Sequence, residues 1–229
     1  MICEKCGKTI ETTGAAFCPF CGAAMPARAA APVNAEAEKW LKEAAKTVSY
    51  PDREKVLLKA RKACPDCFEI EFELLFIGKR RKSGPGRVDF FLIRSYLLEM
   101  YLKPEEFSER ERAEMRKELF ENEQLLRCRE LSEDPEAMTD AYLLRLSREF
   151  IDLFMAGDSR IVRTLFGFRL DRNVEKVLAQ YGAGVLTRIR QDRDLPQDRR
   201  DRLYQAFYRA LSERMEGRTE YLDEALAEI

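Results

Sequence analysis

From Asn34 onward, apolar residues recur three and four positions apart, the spacing of a helix with one buried face. Asn34 is placed to cap a first helix with Trp40, Leu41, Ala44, Ala45 and Val48 on one side. Ser49, Pro51 and Asp52 open a second, with Val56, Leu57 and Ala60 inward. Asp66, with Glu69 three residues on, predicts a capping box for a third helix carrying Ile70, Leu74 and Ile77. A fourth helix is expected from about Val88, with Phe91, Tyr96, Leu97, Met100 and Tyr101. Pro104 and Ser108 open a charged fifth that runs to about Cys128, and Pro135 a sixth that ends at Gly157. Shorter helices are expected near 159–168 and 172–190. Pro196 starts another, with Leu203, Phe207, Ala210 and Leu211 on one face, and a last one holds Tyr221, Leu222 and Leu226. No run past residue 34 shows sustained β alternation, so the body reads as all-α: a helical bundle or a short helical-repeat-like solenoid. Leu57, Ala60 and Pro65 have the offsets of a tetratricopeptide second helix, but the pattern does not recur at a fixed period.

The first 24 residues obey a different rule. Ile2, Ile10, Phe17 and Phe20 are too few to make a core. What organises the segment is Cys3-x-x-Cys6-Gly7 and Cys18-Pro19-x-Cys21-Gly22. Two such turns deliver two thiolates each, the tetrahedral set Zn²⁺ prefers, and a glycine after each pair lets the backbone turn beneath the metal. Four thiolates leave no open position for water, so the expected zinc is single and structural. Residues 25–34, small and punctuated by proline, read as a linker, leaving 35–229 as the α-helical domain.

These cysteines carry a resemblance. Cys-x-x-Cys-Gly followed by Phe17-Cys18-Pro19-Phe20-Cys21-Gly22-Ala23 resembles the short zinc-ribbon modules at the N-termini of many bacterial proteins. The resemblance covers about a tenth of the chain, implies Cys3, Cys6, Cys18 and Cys21 as ligands, and implies no activity. Ala24 and Met25 depart from the usual Cys-Gly-x-x-Leu ending. The stretch from Cys64-Pro65-Asp66-Cys67 to Gly78 is similar to bacterial zinc-ribbon proteins with helical tails, which again implies no function.

Composition narrows the chemistry. The 229 residues hold 40 Lys and Arg, 41 Asp and Glu and no His, for a net charge of −1. Without His there is no Ser-His-Asp or Cys-His pair and no imidazole metal site, so the chain is not expected to be an enzyme. Near-zero net charge argues against a globally basic nucleic-acid binder. Seven cysteines at metal-like spacing suit reduced thiols in a cytoplasmic protein. No signal peptide is visible, and Val88–Leu102 is too short and too charged to span a bilayer, so no membrane association is expected.

Three further groups admit more than one reading. Cys64-Pro65-Asp66-Cys67 is a redox dithiol, a metal site completed by Cys128 and a carboxylate, or, as we favour, a helix-helix turn whose cysteines fill apolar space. The basic stretch Lys79, Arg80, Arg81, Lys82 and Arg87 is either a contact for phosphate or an acidic partner, or, as we favour, a solvated loop between helices. It has no Walker pattern. Residues 103–140 hold 7 basic and 13 acidic residues, whereas 187–218 hold 9 Arg and 6 acids. This asymmetry serves either an external acidic partner or RNA, or attraction between the chain's own helix faces, which we favour. The expectation is a non-enzymatic adaptor whose helical domain binds a protein partner of unknown identity. The alternative is a nucleic-acid-associated regulator using the ribbon, the 79–87 loop and the Arg-rich C-terminal helix.

Overall fold

The computed structural model describes residues 35–77, 80–82, 89–91, 94–157, 170–216 and 219–228. The expected ribbon, the linker and the short helix near 159–168 lie outside them. Among the described residues the fold is dominated by α-helix, as the periodicity predicts, and no helix is long and apolar enough to cross a membrane. The chain divides into two compact units at Ile70 and Glu71.

In the first unit, α1 (Ala35–Lys46) packs on α2 (Tyr50–Ala63). The buried positions are Ala37 and Ala44 on α1 and Leu57 and Ala60 on α2, three alanines around one leucine. Ala45 and Val48 fall outside the expected inward face. α1 stops at Lys46, and Val48, in the turn beyond it, is 96% exposed. α2 has Ser49 at its N-cap with Pro51 in the first turn, as expected, and the Cys64 amide closes it on the Ala60 carbonyl.

The start of α3 (Phe68–Leu75) corrects one detail of the expected cap. Asp66 takes a left-handed φ of 64°, a conformation Asp tolerates better than most residues, and makes the turn. The helix begins at Phe68, so Cys67 and not Asp66 holds the position just before it. The Cys67 thiol donates to Glu69 Oε2 at 3.2 Å.

The second unit opens with a further correction. Asp89–Phe91 is a strand, β2, and not the start of a helix. It pairs antiparallel with β1 (Arg80–Lys82), Arg80 opposite Phe91 and Lys82 opposite Asp89. The adjacent aromatics Phe90 and Phe91 favour extended backbone, which overrides the helical spacing read across them. Helix resumes as a 3₁₀ turn, Arg94–Leu98, leading into α4 (Glu99–Leu102). The charged fifth helix is two: α5 (Glu109–Glu121) and α6 (Glu123–Leu131). Asn122 breaks it, with extended backbone and a side-chain oxygen that accepts the Leu125 amide and so caps α6. Ser108 and Glu111 form a reciprocal capping box on α5.

α7 (Pro135–Gly157), α8 (Leu170–Gln191) and α9 (Gln197–Arg214) supply most of the unit's packing. α9 lies on α7 and α8, α10 (Glu220–Ala227) lies on α8, and the 94–98 turn lies on α7. Tyr142, Leu143, Leu146, Leu186, Ile189, Leu203, Phe207 and Leu211 are buried between them. The α8–α9 approach is close enough that a Cβ on Gly182 would stand 2.6 Å from Leu211 Cδ1. Only glycine fits there without Leu211 moving.

Candidate functional site

Of the sequence-predicted site residues, Cys3, Cys6, Cys18, Cys21, Lys79 and Arg87 lie outside the described residues. Arg80, Arg81 and Lys82 are described, and they form strand β1 where a loop is expected. Among the described residues no group of three or more Cys, Asp or Glu is placed to hold a metal. Cys64 and Cys67 are free thiols. Burial pushes both upward from the ordinary thiol value, with Glu36 adding to the effect at Cys64 and Glu69 at Cys67. Thiolate is the reactive form, and these surroundings disfavour it at both sulfurs.

The chemistry-bearing cleft is elsewhere, within the second unit, between α5 and the end of α8. It is open, has a volume of about 440 Å³, and is lined by Arg112, Arg116, Arg188, Arg193 and the carboxylates Glu109, Asp192 and Asp194. The α5 register puts Glu109, Arg112 and Arg116 on one face, spaced three and four apart. The chain leaves α8 at Gln191 and carries Asp192 inward, where its side chain is 5% exposed. Asp192 Oδ2 accepts from Tyr101 Oη at 2.7 Å and from Arg116 Nε at 2.8 Å. Arg188 donates to the Tyr101 and Leu102 carbonyls at 2.9 and 3.1 Å, closing the end of α4. This buried junction ties α4, α5 and α8 together.

Burial, and then the charge of Asp192 and its hydrogen bond, push the Tyr101 phenol well above its ordinary value, so it remains a donor. Burial works against the Arg116 charge, but Asp192, Glu109 and Asp194 more than offset it. Hydrogen bonds from Arg112 and Arg116 hold the Glu109 carboxyl below its usual range.

A second cleft of about 590 Å³ shares Glu109, Arg116 and Asp194 with the first and extends to Glu121 and Arg199. Sequence reasoning did not single out Tyr101, Arg116 or Asp192. The trace they leave is the charge asymmetry between 103–140 and 187–218, and the structure answers that asymmetry in favour of internal pairing. Arg199 pairs with Glu121 at 2.7 Å. Arg202 pairs with Asp140 at 2.8 Å and with Glu136. Arg200 donates to the Asp192 carbonyl, and Arg190 lies over the Tyr204 ring. Arg193 is exposed and makes no ion pair among the described residues.

No protein family, curated protein or solved structure matches the chain.

Proposed function

We propose that this chain is a non-enzymatic adaptor: a zinc ribbon on Cys3, Cys6, Cys18 and Cys21, joined by the 25–34 linker to a helical domain that binds a protein partner in the cytoplasm. Two weak contacts joined by a flexible linker reinforce each other through effective concentration. One observation carries the choice of partner. Of the arginines of the C-terminal segment that would have made a nucleic-acid face, Arg188, Arg199, Arg200 and Arg202 are engaged by Glu121, Glu136, Asp140 and backbone carbonyls of the same unit. A polyphosphate would have to displace those partners, whereas a protein surface of mixed charge would not.

The test is native mass spectrometry of the chain purified from its host without chelator, before and after nuclease. The expected result is one zinc per chain and a retained protein partner that survives nuclease. Nuclease-sensitive mass would favour the nucleic-acid regulator, with Arg80, Arg81, Lys82 and Arg193 as its first candidates. Freshly reduced protein without zinc would remove the ribbon from the proposal.

A further inference from the structure

We infer that the cleft between α5 and the end of α8 is a receptor for an acidic segment of a partner protein, with Arg116 as its fixed centre. Glu109 and Asp194 are placeholders that an incoming carboxylate displaces. The inference rests on the adaptor reading and names the chemistry of the partner.

Arg116 is held from behind and loosely covered in front. Its Nε is bound to buried Asp192, which anchors the guanidinium plane. Its two terminal nitrogens face outward, Nη1 to Glu109 at 3.3 Å and Nη2 to Asp194 at 3.0 Å. Those two carboxylates come from different elements, and their side chains are 65% and 63% exposed. The outer edge of a guanidinium is the fork that a single carboxylate fills with two parallel hydrogen bonds. Here each prong has its own separate, solvated partner. Arg116 itself is only 13% exposed, so the two carboxylates leave it only when an incoming carboxylate takes both prongs at once.

Displacement at this point releases more than one cation. Glu109 is shared with Arg112, whose Nε is buried and has no hydrogen-bond partner among the described residues. Arg193, unpaired among the described residues, stands on the same wall. An entering acidic segment therefore has Arg116, Arg112 and Arg193 along the cleft for its carboxylates, while Met100 and Pro104 also line it. A nucleic acid is a poorer fit. Its phosphates would be brought against Glu109, Asp192 and Asp194, and in the adjoining cleft against Glu121. A peptide can alternate acidic side chains with neutral or basic ones and so avoid them.

The experiment uses the full chain and fluorescein-labelled (Glu-Ser)3 amide, whose acids alternate with neutral residues, read by fluorescence anisotropy at low salt. The double variant Glu109→Gln with Asp194→Asn removes the placeholders, and binding should tighten by about five-fold. Arg193→Gln should weaken it by about three- to five-fold, and Arg209→Gln, an exposed arginine far along α9, should leave it unchanged. Both single changes lie on exposed side chains and leave the buried Arg116–Asp192 pair intact. Equal binding by all four proteins overturns the inference, as does an Arg209→Gln loss equal to that of Arg193→Gln. A ten-residue oligothymidylate that displaces the peptide below the peptide's own Kd also overturns it, in favour of a polyanion. The adaptor reading is judged separately. A retained partner in native mass spectrometry, together with peptide binding insensitive to Arg193→Gln, rejects the cleft and keeps the adaptor. Peptide binding that follows the variants, with no partner retained, does the reverse.

Discussion

Arg94 and Arg202 both pair with glutamate in the second unit, in opposite surroundings. Arg94, in the 94–98 turn, is 6% exposed; it meets Glu118 of α5 and donates through Nε to the Leu75 carbonyl at the end of α3. Arg202 lies on the rim between α7 and α9, with Glu136 and Asp140, whose side chains are 64% and 60% exposed. Arg148–Glu213 and Arg209–Glu213 continue that rim. A buried guanidinium has lost its water and depends on every partner it has, whereas a solvated one trades a carboxylate for water at little cost. The buried junctions therefore fix which elements meet, and the rim pairs mainly cancel charge.

Glu118→Ala breaks that distinction most severely. Among the described residues it leaves the buried Arg94 cation with only a carbonyl, and it should cost about 3–5 kcal/mol. Urea unfolding of the full chain measures it, with an unchanged slope showing that the folded state is still compact. Pairing Glu118→Leu with Arg94→Met should recover much of the loss, because the penalty lies in the orphaned charge. A loss below about 1 kcal/mol for Glu118→Ala would mean that Arg94 is in effect solvated, like the rim.

Arg145 sits between the two extremes, with 28% of its side chain exposed. It binds both oxygens of Glu73, at 2.6 and 3.0 Å, and lies 3.9 Å from the Phe76 ring centroid. Arg145→Lys keeps the charge and loses the fork and the planar stack, for an expected cost of about 1–2 kcal/mol. An unchanged unfolding midpoint would show that charge alone carries this contact. In that case α3 is held on α7 by the Phe76 and Tyr142 rings, whose centroids are 5.8 Å apart.

How much of this was legible in the sequence depends on the range of the interaction. Helix starts set by local chemistry came through: Ser49 with Pro51, Ser108, and Pro135. Asn122 was missed because charged helical spacing continues across it, and one polar residue can either sit on a helix or cap the next. β2 was missed because Phe90 and Phe91 also fit a helical stripe, and the strand exists only through its pairing with residues 80–82. The acid-rich and Arg-rich halves could be read as attracting one another, but not in register. Nothing local marks Asp192 as the carboxylate that meets Arg116, 76 residues away.

Tyr101 separates buried polar contacts from solvated ones by pH. Tyr101→Phe removes the 2.7 Å bond to Asp192 and should cost about 1 kcal/mol at neutral pH, since Asp192 keeps Arg116. Burial first, and then Asp192, raise the folded Tyr101 above the ordinary value of 10, so the unfolded chain releases this proton before the folded one does. Stability should therefore fall as pH rises past about 10. Buried Tyr142, which donates to the Leu119 carbonyl at 3.1 Å and is raised mainly by burial, shifts in the same direction. Tyr101→Phe should flatten the alkaline fall and leave the share due to Tyr142. An identical alkaline profile in the variant would show that the Tyr101 phenol ionises as freely folded as unfolded.

The smallest effect is expected on the rim. Arg202→Ala removes two solvated contacts and should cost about 0.2–1 kcal/mol, an amount that shrinks as salt rises over a Debye length of about 10 Å at 0.1 M. Glu213 and Glu121, held below the usual carboxylate range chiefly by hydrogen bonds from Arg148 and Arg199, add an acid-side signature. Their folded values are depressed, so their contribution is complete above the ordinary value of 4.5 and is lost as pH falls below it. Thermal unfolding of Arg202→Ala at low and high salt should therefore converge on the wild type at high salt, whereas Glu118→Ala should not. If Arg202→Ala instead cost as much as Glu118→Ala and ignored salt, the rim would be holding α9 on α7. The apolar contacts beneath it, Phe150 against Phe207 with centroids 6.1 Å apart, would then be secondary.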